Sequence, residues 1–230
     1  MREIILDTET TGLDPDAGHR VVEIGAVEVV DGYRTGRVFH YYLNPERSMP
    51  KEAERVHGLS DAFLADKPLF KEIAKEMLEF FADATLVIHN AGFDLKFINS
   101  ELAKLRKQPL SQKIVDTLEI ARKKFPGAKA NLDALCTRFN ISRAHREKHG
   151  ALLDAELLTD VYERLMGRET SQLALVMPAA KVDVVSRTQG EHSQPVAFPL
   201  RHFPASAAEI ETHNALMKSF KTSPIWAKYL

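Results

Sequence analysis

The 230-residue chain has a single cysteine, Cys136. That excludes an intrachain disulfide and a thiolate metal cluster, gives no sign of an oxidising compartment, and leaves Cys136 as a small apolar core residue. Long apolar runs are also missing. None approaches the roughly 20 residues of a membrane span, and the first residues lack the basic flank and apolar core of a signal peptide, so a cytoplasmic protein with no membrane partner is expected. There is no excess charge of either sign. With 31 basic against 32 acidic residues, the chain is not built to grip nucleic acid tightly by itself, because that affinity comes largely from neutralising phosphates. A nucleic-acid substrate would have to be held by something else.

What is present is the composition of a soluble globular protein, 44% apolar and 27% charged, long enough to bury a real core. Residues 3 to 7 read as a buried strand, followed by a second over 21 to 30 with alternating Val22, Ile24 and Ala26. Asp31-Gly32 is a turn signal into a third strand over 37 to 43, so the start reads as an antiparallel meander. A short helix over 51 to 56 ends at His57-Gly58, where glycine suits a cap. Phe70, Ile73, Ala74, Met77, Leu78 and Phe81 stand at helical spacing. Residues 84 to 88 form an apolar strand running directly into His89-Asn90-Ala91-Gly92-Phe93-Asp94 and a helix to residue 105, which is a βα unit. A strand at 114 and 115 leads to Asp116, placed to cap a helix over 117 to 124. Helices from 132 to 139 and from about 150 to 167 complete this part, separated by a charged loop over 143 to 148. Antiparallel strands followed by strands alternating with helices imply an α/β fold, a mixed sheet flanked by helices. Ligands of such sheets lie at the carboxyl ends of strands.

Beyond Gly167 the character changes. Residues 168 to 230 carry five of the eleven prolines and too few apolar residues to build a core. This divides the chain into a domain over 1–167, a flexible linker over 168–205 containing the island Gln172-Leu173-Ala174-Leu175-Val176-Met177, and a C-terminal segment over 206–230. That segment starts with Ser206-x-x-Glu209, a capping-box pattern. It places Ile210, Met217 and Phe220 on roughly one helical face, with Trp226 just beyond. An apolar helix face with an aromatic anchor on a linker suits docking to a partner, and folding back on the main domain is the alternative.

The chemistry sits in four acids and a histidine. Asp7 and Glu9 alternate with Thr8 along a strand, so both project from one face and can share one cation or a pair. Alone, such a pair also reads as a solvated strand end. Asp94 lies past a strand end at a helix start, and Asp154 follows His149 by five residues. Were both helical they would stand about 140° apart, but Gly150 lets His149 on the incoming loop and Asp154 in the helix turn to one cleft. Four oxygen donors suit hard cations, Mg²⁺ or Mn²⁺. Two such ions about 3.5–4 Å apart can activate a water and stabilise the leaving oxygen of a phosphodiester. A histidine titrating near neutrality can take the water's proton.

Asp7-Thr8-Glu9-Thr10-Thr11-Gly12, then Asn90-Ala91-Gly92-Phe93-Asp94, then His149-x4-Asp154, in that order, resemble the three motifs of the DEDDh 3′-to-5′ exonucleases across residues 1 to 167. The resemblance implies a ribonuclease-H-like fold, Asp7, Glu9, Asp94 and Asp154 as ligands of two divalent cations, and His149 as general base. It further implies that Thr10 touches the terminal nucleotide through its backbone, with His57, Asn90 and Phe93 around the 3′ end. The tail resembles that of the epsilon-type proofreading subunits of bacterial DNA polymerase III. By that likeness Gln172, Leu173 and Leu175 belong to a sliding-clamp motif, while Ile210, Met217, Phe220 and Trp226 dock on the polymerase alpha subunit. A small theta-like subunit and a place in the nucleoid-associated replisome are further implications. Two other readings stand beside it: a free-standing exonuclease of RNA or single-stranded DNA ends, and a non-catalytic stabilising subunit.

Overall fold

The computed structural model describes residues 1–143, 149–167, 207, 208 and 210–213. Its centre is the run Ile4-Ile5-Leu6, fully buried, in strand β1 (Arg2–Thr10). Strand β2 (Val21–Val30) lies antiparallel to β1, and β3 (Tyr33–Tyr42) antiparallel to β2. Asp31 and Gly32 join them with φ of 52° and 87°, the two left-handed residues that a tight hairpin turn requires. β3 starts four residues before the expected position because its first half is polar and exposed, and alternation gives no signal there.

Helices α1 (Lys51–His57), α2 (Asp61–Leu64) and α3 (Phe70–Phe81) precede strand β4 (Thr85–Ile88). Then come α4 (Ala91–Lys104), β5 (Ile114–Asp116), α5 (Thr117–Lys124), α6 (Leu132–Arg138) and α7 (Ala151–Leu165). The sheet order is β3-β2-β1-β4-β5, with β1, β4 and β5 parallel. The expected mixed sheet is therefore present. Only α2 and a 3-10 turn at Pro15–Ala17 were not foreseen, both being too short to show periodicity. Each starts on a side-chain cap, Ser60 accepting from Phe63 N–H at 3.2 Å and Asp14 from Asp16 N–H at 3.0 Å.

The sheet has two apolar faces, as strand alternation dictates. Ile4, Leu6, Ile24, Ala26, Leu86 and Ile88 pack with Ile73, Met77, Phe81, Phe97 and Ile98 of α3 and α4. Ile5, Val27, Val29 and Val87 pack with Ala155, Leu158 and Tyr162 of α7. At about 1.5–3 kcal/mol for each large side chain fully buried, these two layers fix α4 and α7 on opposite sides of β1. Polar ties lock α7 further: the Tyr162 hydroxyl donates to Glu3 Oε1 at 2.8 Å, and Arg34 reaches Glu156 O at 2.8 Å and Asp160 at 2.6 Å.

The chain divides into two units, Met1–Leu175 and Val176–Leu230. In the second, the described residues 207, 208 and 210–213 are helical and exposed, with Thr212 Oγ1 donating to Ala208 O at 2.8 Å. They fall within the helix expected from residue 206. Ile210 is half exposed, whereas Gln172, Leu173, Leu175, Met217, Phe220 and Trp226 lie outside the described residues. Among the described residues no helix is long and apolar enough to cross a membrane.

Candidate active site

The site is built around the carboxyl end of β1 and draws on both layers. Asp7 and Glu9 follow Ile5 on the α7 face, while Thr8 follows Ile4 and Leu6 onto the α4 face. Asp94, in the first turn of α4 and buried, meets Thr8 there: Thr8 Oγ1 donates to Asp94 Oδ1 at 2.6 Å. The start of α4 is held by Asp116, whose carboxylate accepts from Asn90 N–H at 3.1 Å and Ala91 N–H at 3.0 Å. The same carboxylate caps α5 through Leu118 N–H at 2.8 Å. Asn90 has φ 64°, a left-handed turn residue that aims the strand into the helix.

From the other layer, Gly150 is extended and caps α7, so His149 stands outside the helix and Asp154 inside its first turn. His149 Nδ1 lies 3.2 Å from Asp154 Oδ2. The two therefore reach one cleft, as the loop-then-helix arrangement requires. His149 N–H also donates to Val56 O of α1 at 3.3 Å. The close approach of α7 depends on Gly25, which pairs with Asp7 across β1 and β2. A Cβ at Gly25 would lie 2.1 Å from Leu152 N and 2.3 Å from Ala151 C, so only glycine lets the first turn of α7 rest on the strand.

The electrostatics are those of crowded carboxylates. Burial pushes the Asp7 carboxyl well above the ordinary range, and the charges of Asp94, Glu9, Asp154 and Glu23 push it further. Asp94 is pushed up to about 7, chiefly by burial, against the opposing Thr8 hydrogen bond. Cations would relieve this directly. Single donor atoms of Glu9, His149 and Asp154 lie within 4.8 Å of one another. With Asp7 and Asp94 alongside, the donor set fits hard divalent ions.

Beside the acids lies a cavity of about 590 Å³ whose wall includes Glu9, Thr10, Gly12, His19, His57 and Phe93. His57 is buried at the end of α1, and its Nδ1 accepts from Leu59 N–H at 3.0 Å, which places the proton of the neutral ring on Nε2. Thr10 Oγ1 donates to Gly12 O at 2.6 Å, so that its side chain serves the turn. Three of the four expected substrate residues thus share the cavity, and Asn90 lies outside its wall. Gly12 lies in the bend that follows β1, as expected of a turn residue, and a Cβ there would lie 2.3 Å from the His19 ring, which would have to move aside. Sequence reasoning also missed Thr8, the fixed partner of Asp94. It overlooked the Leu13 to Ala17 wall, which Lys96 ties to α4 through Asp14 at 2.7 Å and Asp16 at 2.9 Å.

A family model described as Exonuclease, of the RNase T type, matches residues 4–162. The chain belongs to this exonuclease family. DNA polymerase III subunit epsilon of Rickettsia conorii is 53% identical over 193 residues, covering 82% of this chain and 84% of the relative. The subunit of the same name from Escherichia coli K12 is 44% identical over 226 residues, covering 93% and 91%. Such identity places this exonuclease among the epsilon subunits, with proofreading 3′-to-5′ exonuclease activity as its function. Among solved structures, Exonuclease X in complex with 5′ overhanging duplex DNA is 25% identical with a TM-score of 0.59, covering 73% of this chain and 92% of that one. The nuclease domain of 3′hExo, a DEDDh family member bound to rAMP, is 17% identical with a TM-score of 0.64 over the same shares and shares the ribonuclease-H-like fold. Membership of the exonuclease family implies divalent metal ions.

Proposed function

We propose that this exonuclease trims the 3′ end of frayed or mismatched DNA as a subunit of a replicative polymerase, releasing deoxynucleoside 5′-monophosphates. The observation that carries this reading is the meeting of Glu9, His149 and Asp154 donor atoms within 4.8 Å, beside a cavity large enough for a nucleotide. Two Mg²⁺ or Mn²⁺ ions, held by Asp7, Glu9, Asp94 and Asp154, would supply an activated water and stabilise charge on the leaving oxygen. His149 Nε2 takes the proton of the attacking water, while Asp154 Oδ2, 3.2 Å from Nδ1, orients the ring. The water oxygen bonds to phosphorus, the bond to the 3′ oxygen of the preceding nucleotide breaks, and that oxygen leaves protonated. Thr10 meets the terminal nucleotide through its backbone, His57 offers Nε2–H as a donor, and the Phe93 ring, 5.0 Å from that of Phe97, provides an apolar wall. Asn90 contributes by setting the turn into α4.

Residues 1–167 form the nuclease domain in this reading, and 168–230 tether it. Residues 172–177, with Gln172, Leu173 and Leu175, bind the sliding clamp. Residues 206–230, with Ile210, Met217, Phe220 and Trp226, bind the polymerase alpha subunit, and a small theta-like subunit adds to the nuclease domain. The near-neutral charge supports this, because a tethered enzyme at high local concentration need not hold DNA itself. The protein then works in the cytoplasm, at the nucleoid-associated replisome.

The test compares mismatched with paired 3′ ends of DNA, with and without Mg²⁺, for the full chain and for a truncation after Gly167. Faster release from the mismatch, where fraying costs less, is expected, together with an active truncation that no longer joins the polymerase. Metal-independent release, or equal rates on the two ends, would contradict the proposal.

A further inference from the structure

A fifth carboxylate stands at the site without a role in the steps above. Glu23 pairs with Glu9 across β1 and β2 and projects from the same face, where its charge pushes Asp7 upward. It is 2% exposed. Burying a carboxylate beside four others is costly unless it is hydrogen-bonded, and a residue that merely filled space would not need the charge.

Its bonds form a built arrangement reaching across the sheet. His40 Nε2 lies 2.8 Å from Glu23 Oε1, and the Tyr42 hydroxyl also bonds to Glu23; burial, and then the Glu23 charge, push the phenol upward. The rings of His40 and Tyr42 pack edge to face at 4.8 Å. Register explains the grouping: Tyr42 pairs with Glu23, and His40 with Gly25. One face of the sheet therefore carries two rows, Asp7-Gly25-His40 and Glu9-Glu23-Tyr42. The first turn of α7 lies on Gly25, and both Glu23 oxygens come within 4.0 Å of where a Cβ on Gly150 would stand. A carboxylate at this point faces the amino end of α7, where negative charge is favourable.

We propose that Glu23, anchored by His40 and Tyr42, is a positioning residue. It holds the His149-Gly150-Ala151 turn against the sheet so that His149 and Asp154 meet Asp7 and Glu9. It acts by placement, through a carboxylate bonded to His40 and Tyr42.

The inference rests on the exonuclease reading. Release of nucleotide from a 3′-labelled single-stranded oligonucleotide by the unaltered full-length chain at saturating Mg²⁺ tests that reading, and ratios of variants to unaltered chain test Glu23. Glu23→Ala should lower kcat by about tenfold or more with KM little changed, since Glu23 is not itself part of the cavity wall. Glu23→Gln, which keeps shape and hydrogen bonding, should recover most of the loss at an unchanged Mg²⁺ requirement. His40→Ala should lower kcat less, and the double variant should be no slower than Glu23→Ala alone, because His40 works through Glu23. Full kcat in Glu23→Ala overturns the proposal. So does a Glu23→Gln variant as slow as Glu23→Ala with a raised Mg²⁺ requirement, because charge at the metals would then be what matters. If Glu23→Ala does not fold, His40→Ala and Glu23→Gln decide by the same criteria.

Discussion

Gly25→Ala tests whether the approach of α7 to the sheet sets the geometry of catalysis. The added Cβ would stand 2.1 Å from Leu152 N, 2.3 Å from Ala151 C and 2.4 Å from Leu152 Cα. All three are backbone atoms, so no side chain can swing aside. Ordinary contact begins at 3.4 Å, and the difference from 2.1 Å requires the first turn of α7 to retreat by about 1.3 Å. His149 and Asp154 ride on that turn, whereas Asp7 and Glu9 stay with β1. A misplacement of about 1 Å at a reacting centre costs on the order of 10²-fold in rate, and overpacking of this kind costs about 1–3 kcal/mol of stability. Initial rates of nucleotide release at saturating Mg²⁺ should therefore fall about 100-fold, with a fall in Tm of about 2–4 °C per kcal/mol. Gly150→Ala is the contrast, since its Cβ would meet only Glu23 oxygens at 4.0 Å, and its loss should stay within about threefold. A Gly25→Ala chain that melts earlier yet keeps its kcat would refute the reasoning.

Three further outcomes follow from the crowded acids. In the metal-free protein, Asp94 at about 7 and the raised Asp7 bind protons in the fold that the unfolded chain, with carboxyls near 3.8, has released. Their contribution to stability is therefore present at low pH and lost as pH rises, for Asp94 between about pH 4 and 7 at roughly 1.4 kcal/mol per pH unit. Melting in a chelator from pH 5 to 8 should show this decline and Mg²⁺ should flatten it, so parallel curves with and without Mg²⁺ would count against the site. Asp7→Asn should raise the Tm of the metal-free protein while abolishing nucleotide release; a lower Tm would mean that Asp7 is not strained by its neighbours. Thr8→Val removes the 2.6 Å hydrogen bond to Asp94 at nearly constant volume and should cost about 1.5–3 kcal/mol and lower kcat, as measured by chemical denaturation and initial rates.

The strands and the four longest helices were all legible in the sequence, because each is written in local spacing, and the five proposed site residues rest on the same kind of spacing. Asp7 and Glu9 share a face by strand alternation, and Gly150 separates His149 from Asp154 by a change of backbone. What escaped were the contacts between distant segments. Nothing near Thr8 announces that Asp94 will arrive 86 residues later to receive its hydroxyl. Gly25 carries no signal of its own in the sequence, yet it is glycine because the α7 backbone occupies the space of a side chain. Glu23 looked like the polar half of an alternating strand. Only the register, which sets it opposite Glu9 and Tyr42, reveals it as a buried part of the site. The Leu13 to Ala17 wall was missed for a different reason, since a 3-10 turn of three residues is too short for any period.

The central claim is that Asp7, Glu9, Asp94 and Asp154 form one site for two divalent cations. Anomalous diffraction from crystals grown with Mn²⁺ tests it most directly. Two peaks about 3.5–4 Å apart among Asp7, Glu9, Asp94 and Asp154 are the expected result, and they should vanish in Asp7→Asn. No peak among these carboxylates, or Mn²⁺ bound elsewhere with activity intact, would contradict it.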